Sequence, residues 1–210
     1  MARSEDLSTY HSGKLLGRFA FTRGLFELQT TQSGKKQWQV TILFPKTADL
    51  SPLHNLAAEA ANAEWGNKAI QMIRDGIIKS PFLDGDGKQG KSKDSGKPHA
   101  GYPGHFFIRC TSGEDHRPML VNRKMMPILD KSELKSGDYG YAVVNSFTWE
   151  NKENGKGITF GVSKIQKTRD GESLGGGDTG PPENYFEKIE DEGEAPDATK
   201  TGGGAKGLFG

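Results

Sequence analysis

Cysteine is nearly absent from this chain: Cys110 is the one thiol in 210 residues. No internal disulfide can form, and no zinc site can be built on sulfur. Long apolar runs are missing too, since nothing approaches the roughly 20 residues of a spanning helix. Met1-Ala2-Arg3-Ser4-Glu5-Asp6 lacks the apolar stretch of a secretory signal. Hydrophobic residues make up 33% of the chain, a low share for a globular protein. These shortages predict a soluble protein of a reducing, intracellular compartment, with no membrane partner. The five histidines are scattered without metal-ligand spacing, and no nucleophile elbow is present. The expectation is no metal, no cofactor and no enzymatic activity.

What the chain does have is charge of opposite sign in two places. Residues 1–170 hold 25 Lys/Arg against 18 Asp/Glu, whereas residues 171–210 hold 3 against 9. The formal net charge of +1 conceals both. The basic part carries strand-like segments studded with Phe, Tyr and Trp. The acidic part is rich in Gly and Pro, with its acid mainly in Glu183–Asp197 and a Leu208-Phe209-Gly210 tip. Its composition predicts a disordered tail over 178–210. Setting aside that tail and the Gly/Lys-rich stretch 84–104 leaves roughly 150 residues, enough for one core.

Residues 1–13 are polar and expected to be frayed, so the folded domain is placed at 14–177. From Lys14 the pattern turns strand-like, with Phe19 and Phe21 on one face. Over 37–44, Trp38, Val40 and Ile42 alternate with Gln37, Gln39 and Thr41, the period of a half-buried strand. Ser51-Pro52 then opens a helix, with serine suited to the cap and proline to the first turn. Leu53, Leu56, Ala57 and Ala60 give it a narrow apolar face, fit for a lid over a barrel end. Gly66 stops it, and 69–78 forms a second short helix. Asp84–Gly104 reads as a long, flexible basic loop. A strand resumes at 104–110 with Phe106, Ile108 and Cys110 inward and His105, Phe107 and Arg109 outward. Met119–Leu129 contains Pro127 and is at best an edge strand. In 139–149 the even positions are Gly140, Ala142, Val144, Ser146 and Thr148; the odd ones carry Tyr139, Tyr141, Asn145, Phe147 and Trp149. After a hairpin at 151–157, Ile158, Phe160 and Val162 mark the returning strand.

Gly85-Asp86-Gly87-Lys88-Gln89-Gly90-Lys91-Ser92 matches both the P-loop string and the dinucleotide fingerprint. A working P-loop needs a buried strand before it and a helix straight after Lys-Ser. Ser80-Pro81-Phe82-Leu83-Asp84 is too interrupted for the first, and Lys93-Asp94-Ser95-Gly96-Lys97-Pro98 cannot supply the second. Asp84-x-Asp86 opens like a calcium loop, but Lys88 and Ser95 stand where further acids are needed.

Single-stranded nucleic acid is held by cations along the backbone and by flat side chains that stack on unpaired bases. The non-core strand faces supply both. His105, Phe107 and Arg109 share one face, and Tyr141, Asn145, Phe147 and Trp149 share another. Lys35-Lys36 and Arg123-Lys124 add basic turns. In this reading Tyr141, Phe147, Trp149 and Phe107 stack on bases while Arg109, Lys35, Lys36, Arg123 and Lys124 track phosphates. The acidic tail would compete for the empty groove. Two rivals remain: a nucleotide-dependent enzyme built on Gly85–Ser92, and a structural or virion protein using the β body as a scaffold.

Several strings carry a family resemblance: Gly104-His105-Phe106-Phe107-Ile108, Arg117-Pro118, Pro127-Ile128-Leu129-Asp130, Ser136-Gly137-Asp138-Tyr139-Gly140, Lys156-Gly157-Ile158, and residues 166–176. In order and spacing the chain resembles the OB-fold single-stranded-DNA-binding proteins of tailed bacteriophages over most of 14–177. The resemblance implies a mostly β, OB-fold-like antiparallel barrel with one helical insertion. It also implies work in replication, recombination or repair of phage DNA in the cytoplasm of an infected bacterium, without catalysis. Polymerase or helicase recruited through the tail, and a homodimer, are the further partners expected. Members often carry aromatics near Phe147 and Trp149, which favours the odd face of 139–149 as the DNA side.

Overall fold

Strict alternation over residues 139–149 becomes the spine of a curved sheet. The computed structural model describes residues 1–174. Its strands and helices are, in chain order, β1 (Leu7–Ser8), β2 (Gly17–Ala20), β3 (Gln29–Thr30), β4 (Lys36–Pro45), α1 (Ser51–Trp65), α2 (Ala69–Arg74), β5 (Ile78–Lys79), β6 (Leu83–Asp84), β7 (His105–Gly113), β8 (Met119–Val121), β9 (Tyr139–Asn151) and β10 (Gly155–Arg169). Five of these strands close a circuit. β2 pairs with β4 and β9, β4 with β7, and β9 with β10, all antiparallel. The circuit closes through a parallel pairing of β10 with β7. Five strands joined in this circuit make the small OB-fold-like barrel expected from the sequence. It is less uniformly antiparallel than expected, because β10 also runs parallel to β5 and β8.

The even face of β9 fills the barrel. Ala142 and Val144 pack with Phe19, Val40, Ile42, Phe44, Ile108, Cys110, Ile158, Phe160 and Ile165. Gly140 is needed where strands cross: a Cβ there would run into the Gln166 carbonyl and the Phe19 ring. Cys110 is fully enclosed, and burial pushes its thiol pKa far up. Helix α1 sits between β4 and β7 in the chain and buries Leu53, Leu56, Ala57, Ala60 and Ala61. Its cap differs from the sequence expectation. Leu50 occupies the N-cap position, and the Asp49 carboxylate accepts from the Ser51 N–H at 2.9 Å. Gly66, at φ 66°, ends the helix, and α2 stops already at Arg74.

Two segments are more ordered than their composition suggests. The first residues, expected to fray, line the free edge of β9. Leu7 and Ser8 pair with Val144 and Val143, and the Ser4 and Thr9 N–H groups donate to Ser146 and Ala142 carbonyls at 2.9 and 3.0 Å. An unpaired strand edge is costly to leave open, and residues 2–9 cover it. The 84–104 segment is also pinned. Gly85 N–H donates to the His105 carbonyl, His99 N–H to that of Gly90, and Lys91 bridges Pro98. Lys46 Nζ lies 2.8 Å from a carboxylate oxygen of both Asp84 and Asp86. The two acids that imitate a calcium loop thus hold an ammonium, which keeps both below the usual carboxylate range. Residues 178–210, the expected disordered tail, lie outside the described residues.

Candidate nucleic-acid interface

β4 and β7 present one continuous outer face, because their register sets Gln37 opposite Gly113, Gln39 opposite Thr111, Thr41 opposite Arg109 and Leu43 opposite Phe107. The Leu43–Phe107 end is closed. Both are fully buried with Ala20, beneath Leu83, Tyr102 and Leu174. Burial raises the Tyr102 phenol above its ordinary pKa, so it stays neutral. From Thr41 and Arg109 onward the face opens.

Two adjoining hollows of 720 Å³ each occupy that open part. One is lined by Phe21, Gln39, Thr41, Lys97, His99 and Arg109. The next is lined by Arg3, Lys35, Gln37, Thr111, Asn145 and Phe147. Gln37 Nε2 donates to Gln39 Oε1 at 3.3 Å across their junction. The floor continues onto β10 through Gly161, in register with Thr111. A Cβ at Gly161 would collide with the Asn145 amide, so glycine keeps the floor low between β7 and β9. The linings hold Arg3, Lys35, Lys97, Arg109 and Arg117 against the single carboxylate Asp115. Arg117 is fixed at the far end, its Nε donating to the Leu25 carbonyl at 3.1 Å and its guanidinium over Phe26 and Trp38. The arrangement is a basic trough with aromatic rings at its margins, which suits an extended polyanion with flat substituents.

Four expected site residues meet in this trough: Lys35, Arg109, Asn145 and Phe147. Asn145 is buried beside the Arg3 guanidinium, and with its amide turned so that the oxygen accepts from that guanidinium it braces the wall instead of facing the opening. Lys36 is nearby and exposed, 3.6 Å from Glu114. Trp149 stands two positions beyond Phe147 on the same face, with Lys79 Nζ 5.7 Å from its ring centroid. The remaining candidates lie elsewhere. Phe107 is fully buried and has no face left for a base, a correction to its expected stacking role. His105 lines a separate hollow, its Nδ1 at 2.9 Å from the Pro103 carbonyl. Tyr141 packs edge-on against Tyr10. Arg123 and Lys124 sit on the turn after β8, on the side of β10 near Gln166 and Asp170.

Residues that alternation did not single out also line the trough. Phe21, expected on one strand face with Phe19, instead takes a left-handed backbone (φ 59°, ψ 38°) and is 45% exposed, while Phe19 is buried. That conformation costs a non-glycine residue about 1–2 kcal/mol, and here it swings the ring out to the rim. Arg3 and His99 arrive from the segments whose order the sequence did not reveal. The Gly85–Ser92 string forms no phosphate cradle. The N–H groups of Gly85, Asp86, Gly87, Gly90 and Lys91 are already bonded within the loop or to His105, and no helix follows Ser92.

With this geometry in hand, similarity to known proteins is informative. Putative protein p50 of Acyrthosiphon pisum secondary endosymbiont phage 1 is 25% identical over 175 residues, covering 80% of this chain and 88% of that protein. The structure of the single-stranded DNA-binding protein from bacteriophage Enc34 in complex with ssDNA superposes with a TM-score of 0.56 at 17% identity, over 76% of this chain and 86% of that one. A second structure of the Enc34 protein gives 0.51 at 17% identity, over 81% and 87%. At such identity the superpositions establish a shared fold. A family model described as the ssDNA-binding protein of Enterobacter phage Enc34 matches residues 14–196. The chain therefore belongs to the Enc34 phage ssDNA-binding protein family.

Proposed function

We propose that this protein binds single-stranded DNA along the trough formed by β4, β7, β10 and β9, coating phage DNA with little sequence preference during replication, recombination or repair. The observation that carries the proposal is a lining whose charged residues are cationic but for Asp115, together with Phe147 and Phe21 at its margins. Arg3, Lys35, Lys97 and Arg109 track phosphates. Phe147 stacks on a base, and Trp149 continues the aromatic strip. Stacking is worth about 1–3 kcal/mol per base and accepts any base, whereas the phosphate contacts weaken with salt.

The protein acts as a binding module without catalysis, in the cytoplasm of the infected bacterium. The committed N–H groups of Gly85–Ser92 support this reading against a nucleotide-dependent enzyme. The acidic stretch Glu183–Asp197 is assigned the part of competitor for the trough and docking peptide for polymerase or helicase. Deleting 178–210 should raise DNA affinity, and unchanged affinity removes the competitor. The direct test is fluorescence anisotropy with oligo(dT) at two salt concentrations. Submicromolar binding that weakens steeply with salt is expected; no binding at low salt ends the proposal.

A further inference from the structure

A second basic hollow, of 420 Å³, lies on the same outer sheet face beyond the closed Leu43–Phe107 patch. Its centre is Tyr139, whose register partners are Arg18 on β2 and Arg169 on β10. The Arg18 and Arg169 guanidinium carbons lie 5.6 and 4.3 Å from the Tyr139 ring centroid. One electron-rich ring thus holds two cations from its two flanking strands, offsetting their mutual repulsion.

Among the described residues neither arginine is paired with a carboxylate. Arg18 donates to the Gly137 and Glu172 carbonyls at 3.2 and 2.9 Å, and among the described residues no ion pair is formed by Arg169. Lys14 completes the rim from a left-handed turn, with Gly13 at φ 80° and Lys14 at φ 52°. His105 joins from the start of β7. Because the Pro103 carbonyl only accepts, Nδ1 carries the proton, and Nε2 remains open. The one carboxylate in the lining, Asp49, is engaged in capping Ser51.

Three cations with no carboxylate partner among the described residues surround this hollow, and they call for an anion with several acceptor oxygens. Its position identifies the source. Pro45 and His105 end the two strands that carry Thr41 and Arg109, four residues away on the same face, or about 13 Å along the strands. The His99–Tyr102 ring pair lies on the segment covering the sheet between the two places.

We propose that this hollow is a second phosphate-binding station for the strand that fills the trough, so that one protomer occludes more nucleotides than the trough alone can hold. The proposal rests on the single-stranded-DNA reading and extends it. The experiment uses the full chain and its K14Q/R169Q double variant, with fluorescent oligo(dT) of about 8 and about 24 nucleotides, one within and one beyond the roughly 4–16 nucleotides usual for a single barrel. The variant should bind the longer strand about tenfold more weakly, with a log–log salt slope shallower by about 1.4, while the shorter strand is unaffected. An unchanged affinity for the longer strand overturns the proposal. So does an equal loss at both lengths, which would mark general electrostatics instead of a second station. If the native protein binds neither length, the DNA reading itself fails, and the proposal with it. Lys14→Gln alone, at an exposed position, guards against misfolding and should give a smaller loss, again confined to the longer strand.

Discussion

Phe107 and Arg109 sit two residues apart on one strand and point to the same side of it, yet one is sealed and the other is open. Phe107 is enclosed by Leu83, Tyr102 and Leu174, while Arg109 is exposed in the trough. Nothing local to β7 distinguishes them. The difference comes from Tyr102 in the approach to the strand, whose ring lies 4.9 Å from that of Phe107, and from Leu83 and Leu174, roughly 25 and 65 residues away, which cover the sheet at one height and not at the other. A strand's period assigns sides; distant chain decides which part of a side becomes a binding surface.

The strongest way to break this contrast is Phe107→Ala. A buried phenylalanine removed from a packed cluster costs about 3–5 kcal/mol, read by chemical denaturation, with DNA affinity of the folded protein retained. Lost affinity with unchanged stability would return Phe107 to the interface. Phe147→Ala should do the reverse, reducing oligo(dT) affinity by about 1–3 kcal/mol with a lesser effect on unfolding. Arg109→Gln comes next. It should weaken binding several-fold at low salt, lower the salt slope by about 0.7 and leave the melting temperature unchanged.

The smallest effect concerns the pinned 84–104 segment. Hydrogen bonds from Lys46 lower the Asp84 and Asp86 pKa values below 3.8 in the folded state. Their contribution is therefore complete above pH 3.8 and lost as pH falls through the lowered values. Protection of the Gly85 and Gly104 amides, measured as exchange relative to an unstructured chain at the same pH, should fall only in that acid range. A fall in protection near neutrality would show that the Lys46 clamp is not what holds the segment.

The barrel was largely legible because its strands alternate. The even face of 139–149 lines the core as its small and β-branched residues require, and Ile158, Phe160 and Val162 are buried as expected. Phe21 escaped because alternation assumes the strand continues, whereas β2 stops at Ala20 and the backbone turns left-handed. The N-terminal residues escaped because they are polar, and what orders them is an unpaired edge some 140 positions away. The long basic stretch escaped for a similar reason: its glycines look like flexibility, but Gly85 and Gly90 are where two backbones touch. That Lys35, Arg109 and Phe147 line one trough was legible because charge and aromaticity on a polar face are local signals. That Arg123, Lys124 and Tyr141 belong elsewhere is a matter of three-dimensional address, which composition does not carry.

The enclosed Cys110 has a practical consequence. With its thiol locked in the core and held protonated, the native chain presents no sulfur to a maleimide. A cysteine introduced at exposed Lys35 or Lys97 would then be the sole attachment point for a fluorophore or a photo-crosslinker. The path of a bound strand across the surface is thus open to mapping one position at a time, without first stripping a natural label from the background.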